Sequence, residues 1–142
     1  MGDTRVVSAS QRERLGGERY FAIVAGETFD GADLSSVFLD RLRIDRCSLV
    51  AADLRHATLD GCRFRFCDLR RASLRGASLR FASLAGCDLR EADLRDCDLT
   101  GARFGLVNTG AANGLTNLTG ANMDGATLTG AVFDRVTGWP LR

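Results

Sequence analysis

Apolar residues recur at every fifth position through the middle of this chain. From Leu34 to Phe104, each fifth residue is Leu, Ile or Phe, and we call these the central positions. A second apolar residue, which is Ala, Cys, Val or Leu, stands two positions before each central position. The remaining positions are mostly Asp, Ser, Arg, Thr and Gly. The chain is therefore a tandem repeat of five-residue units.

A five-residue period fits neither the 3.6 residues per turn of an α-helix nor the two-residue alternation of a flat strand. The small and central positions are two apart, so they share one face of an extended segment. An odd repeat would send the next pair outward unless the chain turned between pairs, and the Gly, Arg and Asp residues after each centre suit such a turn. The pattern predicts a β-solenoid, in which each coil buries its apolar residues against its neighbours.

Units such as ADLRH, CDLRR, ASLRG and CDLRE resemble the consensus A(D/N)LXX of the pentapeptide-repeat proteins. The resemblance covers roughly residues 22–136. It implies an all-β fold, a right-handed quadrilateral β-helix with four units per coil and about five to six coils at the usual strand spacing. We expect this β-helix to span residues 20–136, after a polar segment at 1–19 with a short helical cap and before a C-terminal cap at 137–142.

The repeat register changes after Phe104. Leu118, Met123, Leu128 and Phe133 are again five apart, but they are one residue out of phase with the earlier series. The segment 105–117 is therefore expected to contain a short unit or a small loop.

The charge of the chain is almost balanced. Nineteen basic residues, all Arg, face 18 acidic ones, so the formal net charge is +1 and no global field favours nucleic acid or an anionic membrane. No apolar run is long enough to span a membrane, and the N-terminal residues lack the apolar centre of a secretory signal. We expect a cytoplasmic protein with no membrane partner, and we do not expect nucleic acid as its ligand.

No residue pattern indicates catalysis, a cofactor or a metal. All five cysteines stand at the small position, where Ala also occurs, so we expect them to act as small buried hydrophobic residues. His56 has no outward Ser or Cys partner with which to form a triad, and no phosphate-binding glycine motif occurs. The sequence therefore predicts a protein that is not an enzyme.

One wall of the expected β-helix has a distinctive surface. With four units per coil, the units centred on Ile44, Phe64, Leu84 and Phe104 share it, and we call it the arginine wall. Its outward residues include four arginines with Asp45 as the one acid assigned to them, and two phenylalanines fall at its corners. Aromatic side chains beside uncompensated Arg are typical of interface hot spots. The candidate partner-binding residues are Arg43, Arg63, Arg65, Phe66, Phe81 and Arg103.

An alternative interpretation of the two phenylalanines is structural. Their rings could fold over glycines of neighbouring coils, such as Gly61, Gly86 and Gly101, and cover backbone rather than a partner. A further open question is the C-terminal end, where Phe133, Val136 and Trp139 are expected either to cover the last coil or to form a homodimer.

Three functions follow as hypotheses. The first is a non-enzymatic protein-interaction module. The second is implied by the resemblance, because some pentapeptide-repeat proteins imitate DNA, bind DNA gyrase, a type II topoisomerase, and protect it from inhibitors. Those members are strongly acidic and longer, whereas this chain is nearly neutral. The third is direct nucleic-acid binding through the arginine wall, against which the near-zero net charge argues.

Overall fold

The structure is a computed structural model, which describes residues 23–39, 41–105 and 114–138. Its named strands are β1 (Ile23–Ala25), β2 (Arg43–Asp45), β3 (Arg63–Arg65), β4 (Arg103–Phe104) and β5 (Val132–Phe133). Strands β1, β2 and β3 form one parallel sheet, and β4 pairs in parallel with β5. The cap expected within residues 1–19 and Trp139 of the expected C-terminal cap lie outside the described residues.

Parallel pairing recurs at a spacing of 20 residues on all sides of the molecule. On three sides, bridges such as Thr28 to Ser48, Asp53 to Ser73 and Phe38 to Thr58 join residues 20 apart. The same spacing joins β2 to β3 on the fourth side. Each five-residue unit thus adds one short rung, four units complete a coil, and the coils stack into a β-helix.

The turns between units explain how an odd repeat keeps the same two side chains inside. The amide of Ala52 donates to the carbonyl of Leu49 at 3.1 Å, and Ala57 bonds to Leu54 in the same way. The third residue of each of these turns has a positive φ, 57° at Ala51 and 59° at His56, as a type II turn requires. This left-handed residue reverses the face of the chain, so the next small and central pair points inward again.

The apolar repeat forms one continuous core. From Ala32 to Phe104, the small and central positions are at most 5% exposed. The predicted core is therefore confirmed in this range. Its largest fully buried side chains include Phe64 and Phe104, both under the arginine wall.

The spacing of the rungs changes once. Asp88 pairs with Asn117 and Asp93 with Asn122, a spacing of 29 residues, so nine residues beyond a full coil enter between Phe104 and Thr116. Thr116 is fully buried, and its hydroxyl oxygen lies 2.8 Å from the carbonyl oxygens of Leu84 and Gly105, either of which can accept its one hydrogen. The same oxygen accepts the amide of Gly86 at 3.1 Å. Thr116 therefore holds the coil together where the spacing changes.

The core opens toward the last described coil. Leu128 occupies a central position but is 37% exposed, and Met123, Phe133 and Val136 are only partly buried. The ring of Phe133 stacks on that of Phe104, with 4.8 Å between ring centroids. This end of the described β-helix thus presents an apolar edge. Among the described residues, no helix is long and apolar enough to cross a membrane.

Candidate functional site

Parallel pairing brings the four predicted arginines onto one surface. Arg43 of β2 lies next to Arg63 of β3, and Ser83 lies between Arg63 and Arg103 of β4. Neighbours in such a column are about 4.8 Å apart. Arg65 lies in the adjacent column, where its backbone pairs with the backbone of Asp45 in the preceding coil. The arginine wall is therefore a real cluster of guanidinium groups on a rigid ladder.

Within the described residues, acidic side chains balance the positive charge of this cluster only at its ends. Arg43 Nε lies 3.5 Å from Asp45 Oδ2, but Arg43 Nε and Asp45 Oδ1 are buried and have no hydrogen-bond partner. Among the described residues, Arg63, Arg65 and Arg103 have no ion-pair partner.

A second acid on this wall was missed by the sequence analysis. Asp134 directly follows Phe133, and its amide donates to the carbonyl of Phe104 at 3.0 Å. This bond places Asp134 on the arginine wall one rung beyond Arg103. Asp45 is therefore not the only acid there, and the arginines lie between one carboxylate at each end. Extending the wall through the change of register would have found it.

Small side chains create a groove in the middle of the wall. Ser83 and Ala85 stand where the preceding coil carries Arg63 and Arg65, so the surface steps inward between two rungs of arginine. The groove has a volume of about 650 Å³ and is lined by Arg43, Arg63, Arg65, Phe81, Ser83, Ala85 and Arg103. The described lining contains no carboxylate, which makes the groove suited to an anionic group.

The two corner phenylalanines have different surroundings. Phe81 is 68% exposed, although its ring lies over Gly101, where an added Cβ would come within 2.5 Å of ring carbons. Phe66 is half-buried, and the guanidinium of Arg46 lies 5.1 Å from its ring centroid, a cation–π contact. The glycine-covering interpretation thus holds for one edge of Phe81, while Gly61 is covered by Arg41 instead of a phenylalanine. Phe81 is the aromatic side chain that the groove offers to a partner.

Two other walls carry matched opposite charges. On the opposite wall and on one adjoining wall, Asp and Arg two residues apart form ion pairs of 2.6–2.8 Å. Hydrogen bonds from Arg55, Arg70 and Arg95 lower the pKa of the carboxyl two residues before each of them. Such exposed pairs stabilise a fold by only about 0–1 kcal/mol each. These arginines are therefore compensated on their own walls, whereas Arg63, Arg65 and Arg103 have no such partner among the described residues. The pairs are Asp53–Arg55, Asp68–Arg70, Asp88–Arg90 and Asp93–Arg95.

The five cysteines are free and buried, as the repeat pattern predicts. Each thiol donates to a carbonyl of the preceding coil, as Cys97 Sγ does to the oxygen of Leu74 at 2.8 Å. Burial raises the pKa of Cys97 to about 12 and also raises the pKa of Cys47 and Cys87. No group of His, Cys, Asp or Glu side chains within the described ranges is arranged to hold a metal ion.

We expect the thiols to react with a disulfide reagent only after unfolding. The thiolate is the nucleophile, and burial in apolar surroundings suppresses it. In the native protein, absorbance from a thiol-specific reagent should rise slowly and approach five equivalents only in denaturant. Rapid labelling of Cys97 under native conditions would contradict its buried position, and mass spectrometry after proteolysis identifies which cysteine reacted.

Comparison with solved structures finds several similar chains. A pentapeptide repeat protein from the cyanobacterium Cyanothece 51142 is 22% identical, with a TM-score of 0.67 over 92% of this chain and 97% of that one. A pentapeptide repeat protein from the thylakoid lumen of Arabidopsis thaliana is 25% identical, with a TM-score of 0.50 over 85% of this chain and 69% of that one. QnrB1, a plasmid-mediated fluoroquinolone resistance protein, is 22% identical, with a TM-score of 0.48 over 84% of this chain and 72% of that one. No curated protein matches the sequence significantly.

The family assignment comes from the sequence itself. The model of pentapeptide repeats matches residues 47–80, 72–108 and 115–137, with eight copies, which together cover more than half of the chain. The matched segments include the rungs that carry Arg63, Arg65 and Arg103. With its 20-residue coils and buried central positions, this chain belongs to the pentapeptide-repeat family.

Proposed function

We propose that this protein is a non-enzymatic interaction module whose arginine wall binds an acidic surface of a protein partner. One observation carries the proposal: Arg63, Arg65 and Arg103 have no acidic partner among the described residues, whereas Arg55 and Arg95 of the opposite wall and Arg70 and Arg90 of one adjoining wall are paired. Arginine and exposed aromatic residues are the side chains that contribute most to protein interfaces.

The backbone of the wall supports this function. Each arginine stands on a rung that is hydrogen-bonded to the coils on both sides, as Arg63 is to Leu42 and Phe64 is to Ser83. Binding therefore requires the ordering of side chains only, which reduces the entropy that association must offset. The spacing of the rungs also fixes the distances between the charges, which favours a partner with matching carboxylates or phosphates.

Charge reversal on the wall tests the proposal. Immobilised protein carrying Arg63→Glu and Arg103→Glu is expected to lose partners that the wild type captures from host extract, as quantified by mass spectrometry. The charge-matched control, Arg75→Glu with Arg80→Glu, changes two arginines of other walls and should retain them. Circular dichroism should show both variants folded, because all four positions are exposed. Capture that is equally sensitive to both double variants would contradict a role for this wall.

We also propose that the chain forms a homodimer through its C-terminal end. The exposure of Leu128 and the partial burial of Phe133 and Val136 support this interface, since an open solenoid end needs cover. Leu128→Ser and Trp139→Ala are each expected to shift sedimentation equilibrium toward the monomer. An unchanged association constant in both variants would contradict the end-to-end interface.

A topoisomerase remains the second candidate partner, because the family includes proteins that bind DNA gyrase as DNA mimics. The paired Asp residues of the opposite wall and of one adjoining wall argue against a DNA-like negative surface here. Protection of gyrase supercoiling activity from a quinolone by the purified protein would favour this candidate.

We further infer a right-handed coil of five to six turns, as parallel connections are right-handed in about 98% of cases. Five free thiols support action in a reducing compartment such as the cytoplasm.

A further inference from the structure

We propose that the groove between the arginine rungs is a binding site for a phosphoryl group, presented by a phosphorylated side chain of the protein partner. This inference rests on the proposed function and adds the chemistry of the ligand. The groove combines three features: guanidinium groups on two opposite sides, a floor of small side chains, and an exposed aromatic ring at one corner.

The dimensions of the groove fit one multi-oxygen anion. Arg63 and Arg103 belong to the same column with Ser83 between them, so their backbones are two rungs, roughly 9–10 Å, apart. Side chains that converge over Ser83 can each donate to opposite oxygens of one anion through hydrogen bonds of about 2.8 Å. Arg65, on the same rung as Arg63, also lines the groove. Without an anion, the like charges of Arg43 and Arg63 repel one another across neighbouring rungs.

The charge balance favours a phosphoryl group over a carboxylate. A phosphorylated side chain carries a charge of about −1.5 to −2 at pH 7 and three acceptor oxygens. A carboxylate carries one negative charge and two oxygens, so it compensates less of the positive charge of the three unpaired arginines. Three guanidinium groups around one site match three acceptor oxygens, which is the arrangement that Arg clusters use for phosphorylated motifs.

The limits of the cluster favour a single phosphoryl group over nucleic acid. Asp45 lies at one end of the arginines and Asp134 at the other, and the outward column ends in Ile23 and Val132. A phosphodiester chain that extended beyond the groove would meet a carboxylate at either end. Phe81, 68% exposed beside the groove, instead provides a surface for the apolar part of the side chain that carries the phosphate.

Calorimetric titration with phenyl phosphate tests the site directly. This probe combines the phosphoryl group with an aromatic ring, and at low ionic strength it is expected to bind about tenfold more tightly than benzoate. Phe81→Ala should weaken phenyl phosphate binding and leave inorganic phosphate binding unchanged. The key variant is Ser83→Asp, which fills the groove with a carboxylate and should weaken phenyl phosphate binding by about tenfold or more.

Ser83→Asp has a matched control within the chain. Asp already occupies the equivalent position of other units, such as Asp53, Asp68 and Asp93, so the variant is compatible with the fold. Ser73→Asp makes the same change on another wall and should bind phenyl phosphate as the wild type does. Equal affinity of Ser83→Asp and wild type, or benzoate binding as tight as phenyl phosphate, would overturn the inference. So would a duplex oligonucleotide that binds more tightly than phenyl phosphate and is released by Ser83→Asp.

The two proposals fail in distinguishable ways. If no phenyl phosphate binds while partner capture still depends on Arg63 and Arg103, the wall is an interaction surface and the phosphoryl site is wrong. If phenyl phosphate binds in the groove but partner capture is unchanged when Arg63 and Arg103 are replaced, the phosphoryl site is supported and the proposed interaction surface is wrong.

Discussion

Leu74→Ala is expected to lower the free energy of unfolding by about 2–5 kcal/mol. Leu74 is 1% exposed and lies between Leu54 and Leu94 of the adjacent coils. Removing its isobutyl group leaves a cavity, because the surrounding rungs are fixed by backbone hydrogen bonds and cannot move inward without breaking them. The upper half of this range is therefore expected, as sites that cannot collapse lose the most stability.

Urea denaturation followed by circular dichroism measures this loss, with the slope of the transition checked for constancy. Leu128→Ala is the matched control, because Leu128 occupies the same kind of central position but is 37% exposed. At protein concentrations where the chain is monomeric, Leu128→Ala should lower the free energy of unfolding by less than half as much as Leu74→Ala. Equal costs at the two positions would mean that the rungs, and not the inward side chains, hold the coils together.

Thr116→Val is expected to lower the free energy of unfolding by about 1–3 kcal/mol, although it preserves the shape of a fully buried side chain. The valine has no hydroxyl to donate to the carbonyl of Leu84 or Gly105 or to accept the amide of Gly86. These buried backbone groups keep only longer contacts, among them the 3.3 Å bond from Gly86 to Gly105. The loss of stability should therefore come with weaker backbone hydrogen bonds between the coils where the rung spacing changes.

Thr116→Ser separates the hydroxyl from the methyl group and should recover most of the lost stability. Thr137→Val is the second control, since Thr137 is exposed and its hydroxyl bond to the Thr116 carbonyl is 3.4 Å long. Hydrogen exchange detects the local effect, with faster exchange expected at the Gly86 amide in Thr116→Val. Unchanged stability and exchange in this variant would show that the hydroxyl has no role in closing the coil.

The buried half of each unit was predictable from the sequence, because one five-residue rule places every central side chain. The rule identified Leu54, Leu74 and Leu94 as one stack and treated Cys97 as equivalent to Ala. It succeeds because the parallel rungs repeat every 20 residues, so inward positions in different coils have the same environment. The rule did not predict the role of Thr116, because nothing in the repeat pattern shows that a hydroxyl is needed to hydrogen-bond carbonyls beside the longer spacing.

The outward half was predictable only in part. The spacing correctly gathered Arg43, Arg63, Arg65 and Arg103 on one wall, because columns follow from the same repeat. It could not show how corner side chains lean across coils. That Arg46 lies over Phe66 while Phe81 remains exposed depends on rotamers and on the neighbouring glycines, which no periodicity determines.

The 29-residue spacing shows that this architecture can be lengthened at a corner without losing its pairing. The rungs on both sides of the nine additional residues keep their parallel partners, as Asp88 does with Asn117. Since loop-closure cost rises by only about 0.6 kcal/mol for each doubling of length, this corner is a suitable entry point for a longer foreign peptide. An affinity epitope grafted between Gly105 and Gly114 would extend the recognition surface from the edge of the arginine wall, so protein engineering can enlarge the wall without altering the core.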